Sequence, residues 1–363
     1  MYGLAGDDWY FVDTASDQAI EADGGGNDRI FASVGYTLYE GSSIEILSTN
    51  DQSGTAAINL YGNAVGNTLY GNAGANILDG RGGADVMYGL GGDDWYLVDN
   101  ASDQAIESPG GGADRIFASV DYTLYEGSSI EILSTNDNSG TAAINLYGNA
   151  VANTLYGNNG ANILDGRGGA DTIYGLGGND WFYIDNTNDE VIEFTSGGSD
   201  RVLASVTYTL AAGSEVEILS TNDNGATAAI DLTGNEIANT LIGNAGANVL
   251  NGGGGNDVLY GLGGADMFAF STAPGTGNVD VIADFQAGLD KIALDDAIFS
   301  GIANLAAAFR IGAAAQDADD RIIYNPTTGA LFYDADGNGA GAAIQFATLS
   351  NAPTIGAGDF IVI

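Results

Sequence analysis

The chain has 363 residues and a formal net charge of -40, from 48 acidic against 8 basic residues, with no cysteine and no histidine. Disulfides, thiolate nucleophiles, histidine-based triads and the usual zinc sites are therefore excluded, and with them most enzyme classes. The missing basic patch excludes nucleic acid and anionic membrane surfaces as partners, whereas 45% hydrophobic residues argue for a folded chain that needs cations to offset its self-repulsion.

The first residues, Met1-Tyr2-Gly3-Leu4, have neither a basic nor an apolar targeting region, so no Sec-type signal peptide is expected, and no stretch is long enough to span a membrane. Residues 2–10 recur at 88–96, at 174–182 and more loosely at 260–268, so each step is 86 residues. This divides the chain into repeats at 1–87, 88–173 and 174–259, the opening of a fourth at 260–273, and a C-terminal cap and secretion-signal domain at 274–363. Met1 falls inside a repeat, which predicts either a piece of a longer protein or an N-terminal edge open for pairing with a second copy.

Each copy closes with four nonapeptides, which in the second begin at Gly148, Gly157, Gly166 and Gly175. Residues 252–260, Gly-Gly-Gly-Gly-Asn-Asp-Val-Leu-Tyr, fit the pattern GGxGxDxUx at every position. Nine residues make a glycine-rich turn and a short strand, which is half a coil, so stacked turns lie eighteen residues apart. Position eight, here Leu155, Leu164, Ile173 and Phe182, is expected to point inward as a core column. The turn requires glycine for positive φ and for carbonyl oxygens to converge without a Cβ in the way. An aspartate at position six adds a charged oxygen, and a hard cation taking ~6–8 oxygens would then sit between two stacked turns.

Position six reads Asn153, Asn162, Asp171, Asp180 in the second copy, and the same order recurs at 67, 76, 85, 94 and at 239, 248, 257, 266. Each of Asp85, Asp94, Asp171, Asp180, Asp257 and Asp266 therefore stacks on an asparagine turn, giving one carboxylate plus turn carbonyls per calcium site. The columns are expected to continue through Asp103 and Asp189 at eighteen residues, and through Asp114 and Asp200 at twenty, with Asp8, Asp17 and Asp28 their counterparts in the first copy. Ordinary turn aspartates are the competing account of these added positions.

Between the nonapeptides, residues 114–120, 129–133 and 142–146 read as short strands. Trp9, Trp95 and Trp181 at position seven and Tyr70, Tyr88, Tyr156, Tyr174 and Tyr260 at position nine face outward, either as a ladder for sugars or another chain or because such rings suit strands. From Pro274 two strands are expected around the turn 286–289, then a short helix at 302–309 and a hairpin across 325–329. Asp334, Asp336 and Asn338 offer oxygens in an EF-hand-like spacing, although Gln345 stands where the closing glutamate belongs, so a calcium-bound and an ion-free turn both remain open. The fold class is all-β: a parallel β-roll or β-solenoid of 86-residue repeats with a small C-terminal capping domain.

By residues 252–266 the chain resembles RTX, or haemolysin-type calcium-binding, proteins. Residues 280–294 and 321–349 resemble the domain that follows β-rolls in serralysin-type metalloproteases, and residues 358–363 resemble the end of type I secretion substrates. The resemblance implies engagement of the type I secretion machinery, one-step export from a Gram-negative cell, and folding outside on calcium. Arg81 and Arg167 depart from the pattern by replacing the second glycine, and the proteases' zinc motif is absent. The expected function is a non-enzymatic, secreted calcium-binding protein with a structural or adhesive role at the cell surface or in the matrix. The alternatives are a self-assembling subunit of a filament or layer and the export scaffold of a larger secreted enzyme.

Overall fold

The computed structural model describes every residue except Leu4 and Ser196. The architecture is a parallel β-solenoid and nearly all β. Two compact units divide the chain: Met1–Asp180 with Asn188–Glu190, and Trp181–Thr187 with Val191–Ile363.

In the first unit, strands of two to four residues alternate between parallel sheets. Trp9–Val12, Arg29–Ala32, Ile46–Thr49, Thr68–Tyr70, Val86–Tyr88 and Gln104–Ile106 form one. Tyr36–Thr37, Leu60–Tyr61, Ile77–Asp79, Trp95–Val98, Arg115–Ala118, Ile132–Thr135, Thr154–Tyr156 and Thr172–Tyr174 line up in the other. Nonapeptide coils stack eighteen residues apart, Leu69 on Met87 and Leu78 on Tyr96. Elsewhere the coils vary: Trp95 pairs with Arg115, Arg115 with Ile132 and Ile132 with Thr154, steps of 20, 17 and 22 residues. The second copy contributes nine strands, from Trp95–Val98 to Thr172–Tyr174. In the first copy eight strands, Trp9–Val12 to Val86–Tyr88, and the isolated bridge at Ile20 make up the same odd number, which places Trp9 and Trp95, equivalent by sequence, on different sheets.

Position eight fills the core as expected. Leu69, Leu78, Met87, Tyr96, Leu155, Leu164 and Ile173 are fully buried, and each such side chain stabilises the fold by roughly 1.5–3 kcal/mol. The strand expected at 129–133 forms at Ile132–Thr135, and that at 142–146 shrinks to Leu146–Tyr147, because only these residues reach a paired neighbour.

The second unit repeats this plan. One row runs Trp181–Ile184, Arg201–Ala204, Ile218–Thr221, Thr240–Ile242, Val258–Tyr260 and Asp280–Ile282. Opposite it run Tyr208–Thr209, Leu232–Thr233, Val249–Asn251, Met267–Phe270, Lys291–Leu294 and Phe360–Val362. The two strands expected around 286–289 thus do not pair with each other. They continue opposite sheets, Asp280–Ile282 on Val258–Tyr260 and Lys291–Leu294 on Met267–Phe270. The expected hairpin is present, with Ile322–Asn325 antiparallel to Ala330–Tyr333. The helix is a single turn, Leu305–Ala308, since Phe309 already enters a strand. Among the described residues no helix is long and apolar enough to cross a membrane.

Candidate metal centre

Aspartate turns and asparagine turns close differently. In Gly80–Asp85, Arg81 and Gly83 take φ of 60° and 121°, and in Gly252–Asp257 the corresponding Gly253 and Gly255 take 89° and 105°. Arg81 and Arg167 therefore occupy a left-handed position where glycine is easier, and their guanidinium groups reach Glu40 at 3.1 Å and Glu126 at 3.3 Å. The first glycine is required for a second reason: a Cβ on Gly80 would lie 2.1 Å from Asp85 Oδ2, and one on Gly252 2.0 Å from Asp257 Oδ2. The carboxylate folds over the turn.

As the eighteen-residue rule predicts, Asp85 Oδ1 accepts the N–H of Asn67 at 2.7 Å and Asp94 Oδ1 that of Asn76 at 2.6 Å. Asp171, Asp180, Asp257 and Asp266 accept the N–H groups of Asn153, Asn162, Asn239 and Asn248 in the same way. The other oxygen differs. Oδ2 of Asp85, Asp94 and Asp257 is buried with no hydrogen-bond partner. Burial pushes Asp85 up to about 7 and Asp94 to about 8 from the usual 3.8.

In the asparagine turns the amide completes the turn itself. Asn67 Oδ1 accepts the N–H of Asn63 at 3.0 Å while its Nδ2 donates to the Ile44 carbonyl at 2.8 Å. Asn76 and Asn153 repeat this with Asn72 and Ile58, and with Asn149 and Ile130. No residue of 62–67 or 71–76 takes positive φ. The N–H donor stands where the aspartate turn needs a cation.

Where the chain leaves the first nonapeptide block, at 61–96, three carboxylates converge. Asp94, Glu107 and Asp114 each place an oxygen within 4.8 Å of the others, and all three are buried. Asp8, Glu21 and Asp28 form the same group in the first copy. Tyr96 Oη donates to Glu107 Oε1 and accepts the N–H of Gly89 at 2.8 Å, while Tyr10 Oη donates to Glu21 at 3.2 Å. Asp94 N–H donates to Asp114 Oδ1 at 2.8 Å, and Asp114 N–H to Glu131 Oε2 at 2.9 Å. Oδ2 of Asp94 and Asp114 and Oε2 of Glu107 have no partner. Burial first, then the neighbouring carboxylates, pushes Asp114 up to about 7, and burial raises the Glu107 carboxyl against the lowering hydrogen bond of Tyr96. Each charged pair at ~4 Å costs about 4 kcal/mol at an effective dielectric of about 20. An all-oxygen, anionic, water-poor cluster of this kind fits a calcium ion, for which these three side chains would be ligands. Asp180, Glu193 and Asp200 hold the same sequence places in the third copy.

The remaining expected ligands fall into other settings. Asp103 Oδ1 accepts the N–H of Asp85, and its Oδ2 those of Asp99 and Asn100, at 3.0–3.3 Å, so both oxygens are taken up by backbone. Asp17 Oδ2 likewise accepts from Asp13 and Thr14. Asp189 accepts the N–H of Asp171, and Asp200 donates its own N–H to Glu217. Asp28 accepts that of Asp8. Asp334 accepts from Asp336 N–H, Asp336 from Gly341, and Asn338 turns its amide nitrogen to the Gln316 carbonyl. Sequence reasoning missed Glu21 and Glu107 together with the tyrosines that hold them. It also missed Asp280 and Asp290, which extend the columns by accepting the N–H groups of Asp257 and Asp266. The signal was present: a glutamate recurs at 21, 107 and 193, thirteen residues after Asp8, Asp94 and Asp180.

No curated protein matches this chain. The family model described as RTX calcium-binding nonapeptide repeat (4 copies) matches residues 61–96, 147–182 and 233–268, the blocks of stacked asparagine and aspartate turns. The chain therefore carries three blocks of RTX calcium-binding nonapeptide repeats, built into a parallel β-solenoid.

Proposed function

We propose that this is an exported, non-enzymatic β-roll whose fold is completed by calcium outside the cell, where it serves a structural or adhesive role. The observation that carries the reading is the set of buried, partnerless carboxylate oxygens in Asp85, Asp94, Asp114, Asp257 and Glu107. A chain of net charge -40 with such oxygens resists folding where free calcium is scarce. Where calcium is abundant each ion stabilises the fold, by about 2.7 kcal/mol per site at a hundredfold excess over Kd. That difference suits passage through a type I secretion channel from a Gram-negative cell, the export route that the RTX repeats at 61–96, 147–182 and 233–268 support.

A calcium titration followed jointly by circular dichroism and light scattering tests the reading. The expected result is conversion from disordered to β-rich at constant particle size. Particles that grow with the β signal would instead make the chain a building block of an assembly. Full β structure in chelator would overturn the claim that calcium completes the fold.

A further inference from the structure

Outward-facing rings form a continuous line on two sheets of the first unit. On one, Trp95 meets Phe117 edge-on at 5.2 Å, Arg115 lies over Phe117 at 4.7 Å and over Tyr156 at 5.5 Å, and Tyr156 stacks on Tyr174 at 4.7 Å. The other carries the same line from the first copy: Trp9 on Phe31 at 5.5 Å, Arg29 over Phe31 and Tyr70, and Tyr70 stacked on Tyr88 at 4.9 Å. These contacts stabilise the sheets, yet they leave the tryptophans open to solvent, Trp9 at 68% and Trp95 at 49%.

Beside Trp95 and Phe117 runs an open groove of about 550 Å³, with Tyr61 and Asp79 on its wall and Asp99 and Asn136 at its rim. Asp79 lies near enough to raise the Asp99 carboxyl, after burial. Among the described residues no hydrogen bond engages the Asp99 carboxylate or the Asn136 amide.

We propose that this groove, with the ring ladder beside it, is a binding platform for a neutral, extended, β-linked polysaccharide. The open Trp95 ring matches the C–H face of a pyranose ring, the stacked tyrosines add apolar edges beyond it, and the flanking carboxylates and amide match hydroxyl donors. Each coil advances ~4.8 Å, close to one pyranose residue of an extended β-linked chain, so Phe117, Tyr156 and Tyr174 lie in register with successive sugars, apart from the coil between Phe117 and Tyr156, where Ser134 stands. Charge selects among glycans: Asp79, Asp99 and the chain's net -40 repel uronate polymers, and Arg115 within the ladder disfavours amine-bearing ones. The proposal names the partner class of the adhesive role above and rests on that reading.

The test uses the full calcium-loaded chain, with retention on cellulose and chitin, polygalacturonate as the anionic comparison, and circular dichroism on every sample. Wild type is expected to be retained on a neutral glycan and not on polygalacturonate. Joint Trp9→Ala, Trp95→Ala and Trp181→Ala replacement should weaken retention at least tenfold with the calcium-dependent β signal unchanged. Val65→Ala, which removes an exposed apolar side chain elsewhere, should have no effect. A calcium-folded wild type that no neutral glycan retains overturns the glycan proposal and leaves the β-roll reading intact. Equal retention of the folded triple variant overturns it too, as does self-association without glycan binding. A chain already folded in chelator would instead count against the β-roll reading.

Discussion

Asparagine turns and aspartate turns share one nonapeptide length and one stacking register, yet they solve opposite problems. At Asn67 the side chain brings its own N–H to a carbonyl, and the turn is complete without help. At Asp85 the same place holds an oxygen with nothing to accept from, so the turn is complete only with an ion. Each copy alternates a self-sufficient coil with a calcium-dependent one, and Asp94, Glu107 and Asp114 concentrate the dependence at the end of the block. Difference in ion demand, rather than in fold, separates the two halves of every nonapeptide block.

The largest break in this contrast is expected from Gly89→Ala, whose Cβ would lie 2.1 Å from Asp94 Oδ2 and 2.4 Å from Tyr96 Oη. It should cost the calcium-loaded fold about 3 kcal/mol, read by urea unfolding. Asn67→Asp turns one kind of turn into the other. Losing the Ile44 bond and setting an oxygen against that carbonyl should cost about 2 kcal/mol in chelator, with much of it regained in calcium; equal losses in both media would contradict the assignment of roles.

Smaller effects distinguish Glu107 from Asp103. Glu107→Gln removes a charge from the cluster and should weaken its calcium affinity about tenfold, or about 1.4 kcal/mol, measured by calorimetric titration. Asp103→Asn should instead cost about 1 kcal/mol equally with and without calcium, because its oxygens serve backbone N–H groups.

The mildest lever is pH. Asp94 and Asp114 stand at about 8 and about 7 in the ion-free fold against an ordinary 3.8, so between those values the folded chain holds protons that the unfolded chain has released. Ion-free stability therefore falls as pH rises from about 4 to about 8 and recovers on acidification, while calcium affinity moves the other way. Circular dichroism in chelator should show β signal returning as pH drops from about 8 to about 5; loss of signal over that range would reverse the sign.

Much of this was legible because it is periodic. The 86-residue step, the eighteen-residue stacking and the buried Leu155, Leu164 and Ile173 column follow from spacing alone. Glu107 was not, because it lies outside the nonapeptides in a coil of twenty residues, where no fixed spacing says which side chain turns inward. Asp103 looked like a ligand by spacing, and only its three backbone donors show that its oxygens are already engaged. The separation of Asp280–Ile282 from Lys291–Leu294 was hidden for a related reason: adjacent strands suggest a hairpin, whereas a solenoid sends the chain across to the opposite sheet.

The nine-strand count carries an arithmetic consequence for inheritance. Duplication or loss of one 86-residue copy would exchange the two sides for everything downstream, whereas a change of two copies would restore them. A lineage that gains copies singly would thus set each new tryptophan on the sheet opposite its predecessor's, as Trp95 already lies opposite Trp9, and parity of copy number, more than length, would decide which sheet the next one joins.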